Sequence, residues 1–243
     1  MAVAVIVPMI VAVIALVIVH PAKCTNESAR FQRGDFMYIP PWASQKDPAK
    51  LFALIEQHSF GLLISQHNGE PFATHLPMLL DRSTGPHGTL IGHLARANPQ
   101  WQQADGQNVL AIFSGPHAYV SPTWYESENV VPTWNYVAVH AYGTFRAVHD
   151  DVELMQIAGD YVKFYESPMP SPWKLETGSE YSKKMVKAIV GFRLEITRLE
   201  GKWKLNQNHP QERRDKVIAA LEQSPDAESQ AVAAMMRGEI EPT

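Results

Sequence analysis

The sequence predicts an α+β fold, in which an antiparallel β-barrel is surrounded by helices. Short apolar runs separated by turn residues fill the region from about residue 60 to residue 148, and the pair Asn68-Gly69 between two of these runs is a strong hairpin signal. Helical patterns lie on both sides of this strand-rich region. Strands joined by hairpins, with helices at the ends, are typical of a barrel decorated by helices.

Each element is predicted from a local pattern. Asp47 and Pro48, followed by apolar residues at helical spacing, predict a capped helix over residues 48–58. The predicted strands cover residues 60–65, 71–80, 89–94, 109–113, 131–148 and 192–198, and the fifth of them is long enough to be one bent strand or two. Further helices are predicted over residues 150–165 and 180–189, and two more after Pro210 are separated by Ser224-Pro225.

Composition excludes several classes of protein. The chain has 243 residues, of which 45% are apolar and 19% are charged, so it is neither a disordered tail nor a disulfide-dense mini-protein. Its formal net charge of -4 argues against a dedicated nucleic-acid binder with a positive surface. The single cysteine, Cys24, permits no internal disulfide and excludes a zinc site built from cysteines. The ten histidines show no spacing typical of metal ligands, so we predict no metal.

Residues 1–19 are all apolar, and this run is long enough to cross a bilayer as a helix. One interpretation is a membrane anchor that leaves the rest of the chain in the cytosol. The other is that translation starts at Met37 and that the preceding residues are not part of the native protein. We therefore predict an N-terminal extension over residues 1–36 and a single domain over residues 37–243, located in the cytoplasm in either case.

The charge is unevenly distributed along the chain. Residues 183–216 contain ten Lys or Arg and four Asp or Glu, which gives this window a charge of +6 and leaves -10 for the remainder. The window is either a solvated surface of a helix and a strand or a face that binds anions.

Several common catalytic motifs are absent from the sequence. It contains no GxGxxG, no phosphate loop of the GxxxxGK[ST] type, no HExxH and no GxSxG. A Rossmann dehydrogenase, a nucleoside triphosphatase, a zinc protease of the HExxH type and an α/β-hydrolase are therefore disfavoured.

The segment from Gly92 to Trp101 carries the most information about a ligand site. It leaves a predicted strand and enters a short predicted helix, with Asn98 as the N-cap and Pro99 at the first helical position. Backbone N–H groups at a helix start have no intrahelical partner, and Arg96 adds a cation beside them. This combination predicts a small anion site of the kind that a phosphate occupies. The alternative is an ordinary capped helix with a solvated arginine.

Two further segments could supply polar groups to a ligand. Thr74 and His75 lie on a predicted strand and could form hydrogen bonds, although a lone strand histidine is more often packed than functional. Residues 115–125 and 131–136 contain two Pro-Thr-Trp triplets beside other aromatic, hydroxyl and amide groups. They could form a slot for a planar heteroaromatic ligand, or simply plug the ends of the barrel.

A short basic segment lies near the end of the predicted barrel. Lys202 and Lys204 would share one side of an extended segment, with Trp203 between them on the other side. Such a segment could close over an anionic ligand or dock against a neighbouring subunit. The simpler interpretation is a basic patch that contains one aromatic residue.

Five segments, in this order along the chain, closely resemble the PaiB-type FMN-binding negative transcriptional regulators. They are Met37-Tyr38-Ile39-Pro40-Pro41-Trp42 and residues 93–101, 115–125, 131–143 and 199–210. The resemblance implies an FMN-binding split β-barrel with peripheral helices, a fold shared with pyridoxamine-phosphate oxidases and small flavin reductases. It also implies a homodimer with FMN sites at the subunit interface. Members of that family typically begin at the equivalent of Met37, so residues 1–36 depart from the pattern.

The resemblance also assigns residues to the FMN site. The FMN phosphate would be held by His93, Arg96 and Asn98. The flavin would be lined by Thr74, His75, Trp134, Asn135 and Tyr136. From the C-terminal strand, the residues that would reach across are Lys204, Gln207 and Asn208.

Two functional hypotheses follow from these observations. The first is a flavin-binding regulator without turnover of its own, which represses genes directly or through a partner. No helix-turn-helix is recognisable, so direct DNA contact would have to come from residues 183–216. The second is a flavin-dependent oxidoreductase that acts on a small molecule, in which the cofactor supplies the difficult chemistry. No acid/base pair is placed clearly enough in the sequence to identify a catalytic residue.

Overall fold

The computed structural model describes residues 37–238. The predicted extension over residues 1–36 and the last five residues of the predicted domain, 239–243, lie outside the described residues. Within the described range, no helix has the length and apolar character needed to cross a membrane.

The described chain contains a sheet of eight strands and six α-helices. In chain order, the strands are β1 (Ser44–Gln45), β2 (Phe60–His67), β3 (Glu70–Pro77), β4 (Leu79–Asp81), β5 (Thr89–Ala95), β6 (Asn108–Val120), β7 (Thr133–Val148) and β8 (Ile189–Lys204). The helices are α1 (Pro48–Gln57), α2 (Gln100–Ala104), α3 (Asp151–Glu166), α4 (Glu180–Val186), α5 (Gln211–Glu222) and α6 (Ala227–Arg237). Two short 3-10 turns cover Pro41–Ala43 and Pro122–Tyr125.

All strand pairs in the sheet are antiparallel, and the strand order is β3-β2-β6-β7-β8-β5-β4, with β1 paired to β8 beside this path. The sheet is open, because no backbone ladder joins the two ends of this order within residues 37–238. Strand β3 forms one edge. The predicted α+β class with an antiparallel sheet and peripheral helices is confirmed.

Local sequence signals explain the first elements. Asn68 and Gly69 both have positive φ angles, 53° and 81°, which is the backbone that a two-residue hairpin turn requires and that Asn-Gly tolerates. The Asp47 carboxylate accepts a hydrogen bond from the backbone N–H of Ala49, and Pro48 is the first helical residue of α1. The predicted hairpin and the predicted cap are both confirmed.

Three strands differ from the prediction. The predicted strand 71–80 is interrupted at Met78, whose backbone N–H donates to the carbonyl of Ser59. Strand β6 continues well beyond the predicted 109–113, because a bulge between Ser114 and His117 allows pairing with β7 to resume. Strand β8 runs from Ile189 to Lys204, beyond both ends of the predicted 192–198. Strand β7 is a single strand of 16 residues, which is one of the two predicted alternatives.

The main core lies on one side of the sheet. Phe145 of β7 and Phe192 of β8 are fully buried there, and their rings stack with centroids 5.0 Å apart. The pair α5 and α6 extends this core through Val217, Ile218, Leu221, Val232, Ala233 and Met236. A smaller cluster fixes α3 and α4 to the strands through Val148, Leu154, Ile157, Tyr161 and Val186.

The opposite side of strands β2 and β6 carries a strip of aliphatic side chains, which we call the outer face. Its members are Leu62, Ile64, Leu110 and Ile112. They are half-buried, whereas the alternating residues Leu63 and Phe113 point into the core. In the ladder, Ile112 lies between Leu62 on β2 and His140 on β7.

Candidate functional site

A seam separates β3 from β5. These strands come close without forming a backbone ladder, and side chains bridge them. The hydroxyl of Tyr161 on α3 donates to the carbonyl oxygen of Pro77 at the end of β3, and it also lies 3.1 Å from the carbonyl oxygen of Ile91 on β5. Asn98 Nδ2 donates to Thr74 Oγ1 on β3 over 3.0 Å. Four of the predicted site residues lie in or beside this seam.

Asn98 organises the entry into α2. Its Oδ1 accepts a hydrogen bond from the backbone N–H of Gln100 over 2.9 Å, which fixes the turn into the helix. The N-cap itself is Pro99 and not Asn98 as predicted. The regular helix begins at Gln100, one residue later than expected, and is only five residues long. The side-chain amide of Gln100 is fully buried and donates to Leu63 O and Ser65 Oγ, which anchors α2 to β2.

Arg96 is held by backbone carbonyls at the start of β8. Its Nε donates to Lys187 O and its Nη2 to Ile189 O, both over 2.7 Å. Arg96 is exposed to solvent as well, so these two bonds hold its side chain in place without burying it. A guanidinium has five N–H groups, so three remain for an anion after these two bonds.

His93 lies on β5 under α3. Its ring centroid is 5.0 Å from that of Tyr161, and its Nδ1 is buried without a hydrogen-bond partner among the described residues. Burial lowers the pKa of His93, so the imidazole is held in its neutral form. A neutral imidazole has one donor and one acceptor nitrogen, which leaves His93 able to meet a polar ligand atom.

Thr74 and His75 point to opposite sides of β3, because successive side chains of a strand alternate. Thr74 faces Asn98, as described above. His75 is exposed and stacks on Phe60 of β2, with ring centroids 6.4 Å apart and planes inclined by 21°. Only Thr74 of this pair is therefore directed into the seam.

The second group of predicted residues lies where β7 and β8 pair at their far ends. Trp134 is 53% exposed and contacts the ring of Tyr119 edge-on, and Tyr136 is half-buried on the same side. Asn135 points the other way. It is fully buried, its Nδ2 contacts the sulfur of Met236 on α6, and its Oδ1 has no partner within residues 37–238. A ligand that rests on Trp134 and Tyr136 therefore does not meet the Asn135 side chain from the same side.

Lys204 lies opposite Tyr136 in the ladder between β7 and β8. Its Nζ donates to Trp134 O over 2.6 Å and to Thr133 Oγ1, and burial together with the neighbouring Lys202 lowers its pKa. The ammonium of Lys202 lies 5.2 Å from the ring centroid of Tyr136. Both lysines lie on the same side of β8, as predicted.

Trp203 points away from these lysines into the core, which confirms the predicted alternation. Beyond the strand, the side chain of Gln207 is bound to the backbone: its Oε1 accepts from Leu205 N and its Nε2 donates to Trp203 O. Asn208 is exposed. Gln207 thus shapes the turn that follows β8, and Asn208 is the more accessible of the two.

Within one chain, the predicted site residues fall into two groups that lie far apart. His93 pairs with Gly191 near the first end of β8, whereas Tyr136 pairs with Lys204 at its last residue. The first group, Thr74, His93, Arg96 and Asn98, and the second group, Trp134, Tyr136, Lys204 and Asn208, therefore lie at opposite ends of the same strand.

Two residues with structural roles at the seam were missed by sequence reasoning. Tyr161 resembles any other member of the apolar stripe of a helix, so nothing in the local pattern indicates that its hydroxyl bridges two strands. Gln100 follows Pro99 in a polar stretch, and its complete burial depends on β2, which is more than thirty residues away in sequence.

Residues 37–198 match the protein family described as "Putative FMN-binding domain". The chain belongs to this FMN-binding family. FMN is accordingly its cofactor, and the donors at the seam fit the phosphate end of that molecule: three free N–H groups on Arg96 and a buried, unpartnered Nδ1 on His93.

Relatives of this FMN-binding protein support the assignment. The chain is 33% identical over 212 residues to "Protease synthase and sporulation protein PAI 2" of Bacillus subtilis, an alignment that covers 84% of this chain and 98% of that protein. An uncharacterized protein of Emericella nidulans is 30% identical over 231 residues, covering 76% of this chain and 90% of the relative. The predicted resemblance to PaiB-type proteins is confirmed.

A solved structure supports the fold. The FAD and heme binding protein from Mycobacterium smegmatis aligns with a TM-score of 0.51 and 16% identity, over 73% of this chain and 80% of that one. This likeness concerns the fold alone. Together with the family match, it confirms that the open antiparallel sheet is a flavin-binding split barrel.

Proposed function

We propose that this FMN-binding protein is a homodimeric regulator that represses transcription, and that each flavin site is shared between two copies of the chain. The observation that carries the shared site is the separation of the two residue groups along β8. Arg96 and His93 lie at one end, and Trp134 and Lys204 lie at the other. A ligand that uses both groups therefore needs the second group from a partner subunit.

The outer face supports a dimer. Antiparallel sheets commonly expose one polar face to water, whereas here Leu62, Ile64, Leu110 and Ile112 form an aliphatic strip across two central strands. These four side chains are half-buried in one chain, and a second copy packed on this face would bury the apolar area that stays accessible. A second copy of the chain would cover it and would carry its own second group toward the first group of its partner.

Within the proposed site, the chain's own residues have distinct tasks. Arg96 and His93 would bind the phosphate, while Asn98 fixes the loop that carries Arg96 by bonding to Thr74. Trp134 and Tyr136 would offer apolar contact to the flavin ring. Lys204 would position the backbone carbonyl of Trp134 and the Thr133 hydroxyl rather than contact the phosphate, because its ammonium is already bound to both.

The proposed repression of transcription has to be tested with DNA. The cations of residues 183–216 are divided between α4, β8 and α5, and several are neutralised by partners. Arg193 bonds to Glu153 over 2.7 Å, and Lys216 bonds to Glu126 over 2.9 Å. The proposal includes a cytoplasmic location for the protein.

The first experiment follows the absorbance spectrum of the purified full-length chain during addition of FMN, with sedimentation analysis of the same samples. We expect saturable FMN binding by a dimer with one FMN per chain. A monomer that binds FMN with unchanged affinity at all protein concentrations would contradict the shared site.

The second experiment measures binding of the FMN-loaded protein to random duplex DNA at low and high salt. Direct repression requires binding that weakens as the salt concentration rises, because phosphate contacts release counterions. If the protein shows no salt-sensitive binding to DNA at low salt, it does not repress by direct contact with DNA. Repression would then act through a partner protein.

A further inference from the structure

Two adjoining cavities lie along the side of α3 that faces away from the sheet. The first has a volume of about 530 Å³ and the second about 290 Å³. Both are lined by Gly159 of α3 and by Thr177 of the segment that precedes α4, so they form one continuous groove. We call it the α3 groove. None of the residues assigned to the FMN site lines it.

Gly159 keeps the floor of the α3 groove open. It lies in the interior of a 16-residue helix, where glycine is less favourable than alanine. Its φ angle is not positive, and a Cβ atom built at this position would meet no heavy atom within 4 Å. Neither backbone conformation nor close packing therefore requires a glycine here. Its effect is to leave space at the point where the two cavities meet.

The wall opposite α3 is fixed by hydrogen bonds. The carboxylate of Glu166 at the end of α3 accepts from the backbone N–H of Trp173 over 2.8 Å. Further along, Ser179 caps α4 by accepting from the backbone N–H of Ser182 over 3.1 Å. The segment between α3 and α4 is thus bonded to the end of α3 at Trp173, and Ser179 fixes the point at which α4 begins.

The lining of the larger cavity combines apolar side chains with cations. Val152 is 79% exposed and lies there with Met155 and Val186. Lys183 and Lys187 stand on the α4 side against one carboxylate, Asp151. Lys183 is bonded to Glu180, whereas Lys187 has no ion pair among the described residues. A volume within roughly 300 to 1,000 Å³ and an apolar lining with a few polar groups are typical of small-molecule sites.

We propose that the α3 groove binds a small organic anion with a flat apolar body, such as an aryl carboxylate. The apolar body would lie over Gly159 and Val152, and the acidic group would meet the ammonium of Lys187, with Lys183 beside it. This site adjoins the FMN site, because Arg96 donates to the carbonyl of Lys187, but it uses none of the residues assigned to FMN and goes beyond the proposed regulatory function. It would give the protein a second small ligand.

The test measures binding of 2-naphthoate to the FMN-loaded full-length protein by isothermal titration calorimetry, with the neutral 2-naphthamide as a comparison ligand. We expect saturable naphthoate binding, and about threefold weaker binding of the amide because the charge contributes at an exposed site. Gly159→Phe fills the floor and should weaken naphthoate binding by at least about tenfold. Ala227→Phe is the control, because Ala227 is exposed at the start of α6 and lines neither cavity.

A second variant covers the case in which Gly159→Phe does not fold. The double variant Lys183→Gln, Lys187→Gln should bind naphthoate no better than the parent binds naphthamide, while its melting temperature shows that it is folded. The proposal is overturned if the parent does not bind naphthoate at about 1 mM. It is also overturned if naphthoate and naphthamide bind equally, or if folded Gly159→Phe binds naphthoate as tightly as the parent does.

Discussion

Asn98 Nδ2 donates a hydrogen bond to Thr74 Oγ1 over 3.0 Å, and this contact joins β3 to the loop between β5 and α2 where no backbone ladder does so. The same Asn98 side chain accepts from the backbone N–H of Gln100, the first residue of α2, through its Oδ1. One residue therefore holds both the seam of the sheet and the loop that carries Arg96. Damage at this contact should affect stability and cofactor binding together.

Thr74→Val removes the acceptor and leaves a partly buried amide without its partner. We expect the free energy of unfolding to fall by about 1 kcal/mol and FMN to bind more weakly. Urea unfolding and an FMN titration measure the two effects. Thr74→Ser keeps the hydroxyl and is the matched control, so an equal loss in both variants would show that the hydrogen bond is not the cause.

Arg96→Ala should weaken FMN binding much more than riboflavin binding, because only FMN carries the phosphate. The substitution also removes the bonds to Lys187 O and Ile189 O. That structural effect would reduce the affinity for both ligands alike, so the ratio of the two affinities isolates the phosphate contact. If the ratio of FMN affinity to riboflavin affinity equals that of the parent protein, Arg96 does not contact the phosphate.

Ile112→Glu places a charge in the centre of the outer face, between Leu62 and His140 in the ladder. If a second copy covers this face, the variant should sediment as a monomer at concentrations where the parent is a dimer, and its FMN affinity should fall. Val152→Glu puts the same charge on an exposed valine of α3 and should leave the dimer intact. If the Ile112→Glu variant is still a dimer, the subunit interface does not include the outer face.

His93 should make the protein less stable in mild acid. Burial lowers its pKa in the folded state below the ordinary value of 6.5, so the unfolded chain takes up a proton that the folded chain does not. The contribution of neutral His93 to stability is complete above pH 6.5 and declines as the pH falls toward the folded pKa. Plots of unfolding free energy against pH should be shallower for His93→Gln between these values. Parallel plots would mean that His93 titrates normally.

Gly143→Ala should strongly destabilise the sheet. A Cβ at this position of β7 would overlap the carbonyl oxygen of Glu195 and a methyl group of Leu194 on β8. Because one of these neighbours is backbone, the strand itself would have to move, which costs about 2 to 3 kcal/mol. Gly159→Ala is the control, since its Cβ meets nothing and should slightly raise stability. Equal melting temperatures for the two variants would contradict this reasoning.

Elements that depend on neighbours in sequence could be predicted well. The Asp47 cap of α1 and the bond of Asn98 to Gln100 follow from side chains that bond two residues further along the chain. The Asn68-Gly69 turn follows from two residue types that tolerate a positive φ angle. The full extent of β6 could not be predicted, because Gly115 and Pro116 ordinarily end a strand and only the bulge opposite β7 allows it to continue.

Several residues of the candidate site could be predicted from the sequence, but their arrangement in space could not. The two carbonyls that bind Arg96 lie 91 and 93 residues further along the chain, so no local pattern contains them. The separation of Asn135 from Trp134 and Tyr136 was within reach of the sequence, because alternation along a strand already places it on the other side. Its burial under Met236 was not, since α6 is about one hundred residues away.

Strand β3 forms an open edge of the sheet, and such an edge is a template on which other chains can add strands. Both ends of β3 carry a proline, Pro71 and Pro77, which have no N–H to offer to an incoming strand. The carbonyl of Pro77 is already taken by the hydroxyl of Tyr161. The split of the barrel can therefore stay open to a ligand while the strand beside it resists the edge-to-edge pairing that leads to aggregation.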